Sequence, residues 1–389
     1  MSIGRFSLNA IDLDTGVVCW TATMPDDQVV RDIAARSGAV VVRTVAEGVH
    51  RLVCFDGSDG RLRWSVDLPS AAVSRLRCIA DAVAVASMPR HLVAYELGDG
   101  SVRWDASGAV RASTDSESWC GDGHPVFDEA VELAEAPGVY LVGTRKGMLA
   151  FAAATGDLLW ESSLGTVETM HVQGDSAFVV DMQNHLHRLL IETGESVWSF
   201  ECNVDEDVNP VVAEDVVFVR TDADDLHALE TSDGGIRWSR NFRGISAFGQ
   251  SASGRTFVST FFGGLHCLDL ATGEPLWDLE FGKVRPGPYV VRSANDGCLV
   301  SVLGELRLHD ALTGSELQTF KSGSSRWLMR APAGQDFAVI LQPGRVTRLS
   351  TEDLSVSWSV PFPDTGHPAL DMDPAVVSQG SVFVVSLAF

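Results

Sequence analysis

Arg255 to Trp277 reads RTFVSTFFGGLHCLDLATGEPLW, and this stretch decides the fold. TFVST is a β-branched and aromatic run that favours a strand. FFGG interrupts it. LHCLDL then alternates apolar and polar, as a half-buried strand does. ATGEP turns the chain, with a glycine for the positive φ that a tight hairpin needs. PLW begins the next strand. An upstream run, Ile245 to Gln250, completes a unit of four short strands.

The unit recurs along the whole chain. Eight tryptophans, Trp20, Trp64, Trp104, Trp160, Trp198, Trp238, Trp277 and Trp358, fall in one register, and Gln318 stands where a ninth belongs. Successive spacings are 44, 40, 56, 38, 40, 39, 41 and 40. Four residues before each position is a glycine, except at Leu354. Twelve before is always apolar, from Leu8 and Leu52 to Leu306 and Val346. Eight before is acidic in six units: Asp12, Asp56, Glu96, Glu230, Asp269 and Asp310. No window sustains a 3.6-residue period, so few helices are expected. Four antiparallel strands repeated about every 40 residues predict an all-β propeller, WD40-like in its architecture.

The units AIDLDTGVVCW, CFDGSDGRLRW, CLDLATGEPLW and LIETGESVW resemble the pyrroloquinoline-quinone-type propeller repeat, an apolar-x-Asp-x-x-Thr-Gly-x-x-x-Trp hairpin. The resemblance covers essentially all of the chain. It implies that each repeat tryptophan docks on a neighbouring blade. A large flat side chain at one fixed place per blade reads the same way, as a packing device. In quinoprotein dehydrogenases the resemblance would further imply adjacent cysteines, a calcium site and a catalytic aspartate. This sequence has no Cys-Cys pair, so the fold carries over and the quinone does not. The same propeller also serves as outer-membrane assembly scaffolds and as sensor regions of bacterial kinases.

The chain opens on a third and a fourth strand, Arg5 to Asp12 and Val17 to Thr23. It closes on a first and a second, Pro374 to Val377 and Ser381 to Leu387. Residues 1–24 and 370–389 are therefore expected to share one blade of a single domain over 1–389. The count is nine blades, with eight as the alternative. The spacing of 56 marks an acidic insertion at 105–138, within which Asp128 to Ala136, DEAVELAEA, suggests a helical turn or two. The insertion carries Trp119, outside the repeat register, with Asp122, His124, Asp128 and Glu129, and is the expected interaction loop.

The chain has 52 acidic and 29 basic side chains among 389 residues, a net charge of −23. That opposes a nucleic-acid backbone or an anionic membrane as the main partner. Seven scattered cysteines without CxxC, and no secretory leader in the first 25 residues, predict a cytoplasmic protein with reduced thiols. No apolar run approaches a membrane span. No GxGxxG, GxxxxGK[ST], HExxH or GxSxG occurs. His185 and His187 sit two apart on one strand face and suit a metal, but no third ligand can be named. Cys202 and the acids at 205–207 are read as a solvated run. No catalytic residue, cofactor or metal is therefore assigned. The first strands should line a channel with Arg31, Arg75, Arg77, His171, Asn209, Gln250, Arg292, Arg330 and Asp373. The expectation is a non-catalytic scaffold that binds a protein, one with a basic surface. The alternative is a small-molecule binder or enzyme with its site in the channel.

Overall fold

Nine four-stranded sheets account for the described strands, arranged as a β-propeller. The computed structural model describes residues 5–24, 28–69, 74–87, 90–113, 133–202, 210–221, 224–252, 254–282, 289–294, 297–302, 304–321, 328–330, 336–342, 344–361, 375–378 and 380–388. Eight blades are each built from consecutive strands, over residues 29–67, 77–105, 133–163, 167–201, 211–241, 245–280, 289–321 and 328–361. They are called blades 1 to 8 below. The ninth joins the two ends of the chain, in the order Val18–Thr23, Arg5–Asp12, Ser381–Ala388, Ala375–Ser378. Arg5 pairs with Ala388 and Asp12 with Ser381 across that seam. The structure thus has the nine blades, and the closing blade shared between the termini, that the repeat arithmetic predicts.

The apolar residue twelve before each register position is the anchor of its blade. Leu8, Leu52, Leu92, Met148, Leu186, Leu226, Leu265, Leu306 and Val346 are all fully buried. Each such burial contributes roughly 1.5–3 kcal/mol relative to exposure. The acid eight before works on the turn. Asp269 Oδ1 accepts hydrogen bonds from the backbone N–H and the hydroxyl of Thr272, and Asp310 does the same with Thr313. In blades 2 and 5 the acid is Glu96 or Glu230, paired instead with Arg103 or Arg237.

By contact density the chain forms two compact units. One comprises residues 1–183, 189–196 and 363–389 and holds the closing blade and blades 1 to 3. The other comprises 184–188 and 197–362 and holds blades 5 to 8.

One helix occurs among the described residues, Ser107–Ser113, at the start of the insertion. It is too short to cross a membrane. Its Val110 is buried against Trp104, Leu133 and Tyr140. The helical turns expected over 128–136 need correction. Leu133–Ala136 is the first strand of blade 3, paired in register with Val139–Val142. Strand pairing and burial of Leu133 override the helical preference of an Ala- and Glu-rich segment. Residues 128–132 lie outside the described residues.

Candidate functional site

The first strands carry several of the predicted channel residues, and in blades 1 to 3 their side chains bond one blade to the next. Arg77, half-buried on Arg77–Ile79, donates from Nε to the Leu133 carbonyl at 2.7 Å. Arg36 donates to the Cys78 carbonyl at 2.8 Å and stands 3.7 Å from Glu135. Asp32 Oδ2 accepts from the Leu76 N–H at 2.5 Å. Burial pushes the Glu135 carboxyl above the usual carboxylate range, while Arg36 and Arg77 pull it down. Arg31 and Arg75 are exposed. Partial burial lowers the pKa of His171, on Val167–Gln173. Gln250, Arg292 and Arg330 lie on first strands, with Phe257, Leu299 and Val339 as their cross-strand partners. Asn209 and Asp373 lie outside the described residues. So do Trp119, Asp122, His124, Asp128 and Glu129 of the expected interaction loop.

The repeat tryptophans are structural. The indole N–H of Trp20, Trp64, Trp104, Trp160, Trp198, Trp238 and Trp277 donates to a backbone carbonyl of the following blade, from Gly57 to Ala311, at 2.8–3.0 Å. Each of these rings also lies on the turn glycine of that blade. At Gly273, with φ of 70°, an added Cβ would stand 2.6 Å from Trp238 Cδ2. The glycine is needed twice, for its backbone conformation and as the seat of the ring.

The tip of the second hairpin in blade 6 holds a feature that strand alternation does not reveal. FFGG interrupts the two strands, as its composition predicts. It also presents Phe261 and Phe262, each 44% exposed. The tip is held firmly. The Phe261 N–H donates to the Gly244 carbonyl, Gly263 to Thr260, and Phe281 to Gly263. Thr260 Oγ1 accepts from the Gly264 N–H at 3.0 Å, and Asp224 Oδ2 accepts from Gly244 at 2.8 Å. The Arg243 guanidinium lies 5.1 Å from the centre of the Phe262 ring. Two adjacent phenylalanines at a hairpin turn are the signal available in the sequence. Alternation alone does not say which way they point.

With this architecture in view, comparisons with known proteins place the chain. The model of the family described as "Outer membrane protein assembly factor BamB" matches residues 4–200 and 191–252, well over half of the sequence. The chain belongs to this family. A curated member from Yersinia pestis is 24% identical over 237 residues, covering 59% of this chain and 57% of that protein. The chain thus spans less than two thirds of that relative's length. Among solved structures, BamB from Moraxella catarrhalis superposes with a TM-score of 0.50 at 15% identity, covering 80% of this chain and 90% of that one. Sqt1 from Saccharomyces cerevisiae gives 0.53 at 12%, covering 94% and 100%. At these identities the structural likeness concerns the fold alone.

Proposed function

We propose that this family member is a non-catalytic scaffold that holds a protein partner, and that the Phe261–Phe262 tip is an anchor point. The observation that carries the reading is the tip itself: two exposed aromatic rings, one under an arginine, on a hairpin fixed by backbone hydrogen bonds. Aromatic residues with a neighbouring arginine are the usual energetic centres of protein interfaces, and rigid ones lose little entropy on binding. Its relatives are named as assembly factors for outer-membrane proteins. The proposal takes from that name only the kind of partner, another polypeptide.

The net charge of −23 favours a partner with a basic surface, which the acidic insertion would also attract. It disfavours nucleic acid. The cytoplasm is part of the proposal: Cys54, Cys78, Cys267 and Cys298 are buried thiols outside any disulfide, which favours a reducing compartment. Cell fractionation tests it, and recovery with the envelope would contradict it. A ligand site lined by the first-strand arginines is the less supported reading, because Arg77 is engaged with Leu133. The binding surface is tested by a photo-reactive residue in place of Phe262, with a control at exposed Leu312. Crosslinks to one protein from position 262 and none from 312 are expected. Equal crosslinking from both would remove the tip from the account.

A further inference from the structure

We infer that a lysine ammonium of the partner seats at the base of the blade 6 tip, in a polar recess lined by Thr260, His266 and Glu280. The inference rests on the reading of the Phe261–Phe262 tip as an anchor point and names the partner's chemistry there. Thr260 ends the strand Arg255–Thr260, and the next strand, Gly264–Asp269, begins on a residue without a side chain. Gly264 pairs with Glu280, and His266 with Asp278, on the strand Pro275–Glu280. A Cβ added at Gly264 would stand 2.9 Å from His266 Nε2, 2.9 Å from Thr260 Oγ1 and 3.5 Å from Glu280 Oε1. Polar atoms of three side chains thus surround one small volume, and the glycine leaves it open.

Each of the three atoms can accept a hydrogen bond. His266 Nδ1 lies 2.6 Å from Asp278 Oδ1. An ionised carboxylate only accepts, so Nδ1 carries the proton and Nε2 presents its lone pair toward Gly264. The Phe242 ring, 5.1 Å from the imidazole centre, packs against the same histidine. Thr260 is buried, and its Oγ1, with two lone pairs, takes one bond from the Gly264 N–H at 3.0 Å. Glu280 is exposed and brings a negative charge. Acceptors beside two carboxylates call for a cationic donor. An ammonium carries three donors on one nitrogen and fits a point of convergence, whereas a guanidinium spreads its donors in a plane. The Arg243 guanidinium over Phe262 is the opposing charge, one against the two of Asp278 and Glu280. Both tip rings border Gly244, two residues after Phe242, so the apolar stem of the lysine has aromatic surface to lie on.

The repeat provides an internal control. Blade 5 holds Thr221, Asp225, His227, Ser239 and Asn241 where blade 6 holds Thr260, Gly264, His266, Asp278 and Glu280. There a side chain occupies the place of the glycine, and Asp225 Oδ1 accepts from Asn241 Nδ2 at 2.9 Å. His227 meets the Ser239 hydroxyl at 2.7 Å, and a hydroxyl, donor and acceptor both, does not fix the tautomer. Relative to blade 5, blade 6 has both the open volume and the carboxylate that orients the ring.

The test titrates the full chain with blocked tripeptides, acetyl-Leu-X-Leu-amide, in which X is lysine, arginine or norleucine. Imidazole proton signals in the NMR spectrum report binding, and those of His266 are identified by their loss in His266→Gln. The lysine peptide should shift the His266 signals at millimolar concentration, the arginine peptide should bind more weakly, and the norleucine peptide should leave them in place. Gly264→Ala fills the recess without altering any charge, and Glu280→Gln removes one acceptor's charge. Each should weaken lysine-peptide binding about tenfold, with circular dichroism unchanged. Glu280→Gln, at an exposed position, carries the test if Gly264→Ala does not fold. The peptide needs no partner, so the two readings fail separately: absent crosslinks from position 262 would remove the partner from the tip, and an inert lysine peptide would remove the recess alone. Equal shifts from the lysine and norleucine peptides, or lysine-peptide binding unchanged in the folded variants, would overturn the recess.

Discussion

Leu354 stands at φ 56° and 4% exposed in the turn position that glycine holds in the other repeats, and its counterpart one blade earlier is Gln318, where the indole is missing. The two exceptions in the repeat are one exception. Where a ring arrives, as Trp277 does on Gly314, a Cβ would come within 3 Å of it and only glycine fits. Where no ring arrives, a side chain fills the space. Leu354 packs in one cluster with Phe320 and with Leu308, the cross-strand partner of Gln318.

A double-mutant cycle tests this pairing. Gln318→Trp should destabilise by driving a ring into Leu354, and Leu354→Gly should destabilise by emptying a buried position. Together they rebuild the common arrangement, so the double variant should be more stable than the sum of the two predicts, by about 1–3 kcal/mol. Denaturant unfolding measures all four proteins. Additive losses would show that the two positions do not meet.

The ring on the glycine makes a matching prediction at a regular joint. Trp238→Ala should cost about 3–5 kcal/mol. Gly273→Ala should cost about 2–5 kcal/mol, from left-handed backbone and from collision with the indole. In the Trp238→Ala background only the backbone part survives, about 1–2 kcal/mol. Chemical denaturation of the three variants reads the difference.

Stability should fall on mild acidification, in part through His309. This ring is 3% exposed, its Nδ1 bonds the Gly314 carbonyl at 3.0 Å, and its Nε2 has no partner among the described residues. Burial holds its pKa below the ordinary 6.5. Below about pH 6.5 the unfolded chain gains a proton that the folded one resists, so stability is lost as pH falls toward the depressed value, by at most about 1.4 kcal/mol per pH unit from this group. His309→Gln should flatten the melting profile between pH 7 and 5. An identical slope in the variant would assign the loss to other groups.

Removing Ser381 to Phe389 should expose the edge of Arg5–Asp12, which pairs along its whole length with Ser381–Ala388. Size-exclusion chromatography should show aggregates where the full chain elutes as a defined species. A truncated protein with an unchanged melting temperature would contradict the shared blade.

Most of the fold was legible because the repeat ties sequence to structure at fixed spacings: Trp at the edge, Gly in the turn, Leu in the centre of the blade. The sequence reading went astray where local preference and tertiary pairing disagree. Glu135 sits in a helix-favouring run, yet it pairs with Tyr140 in a sheet. The candidate sites were less legible. The direction in which Phe261 and Phe262 point depends on the turn geometry.

The central claim, that a protein partner binds at the blade 6 tip, is tested most directly by affinity. Calorimetry of the crosslinked partner against wild type and against Phe261→Ser/Phe262→Ser, with equal melting temperatures established first, gives the answer. The double variant should bind with a Kd at least tenfold weaker, equivalent to about 1.4 kcal/mol. An unchanged Kd would contradict it.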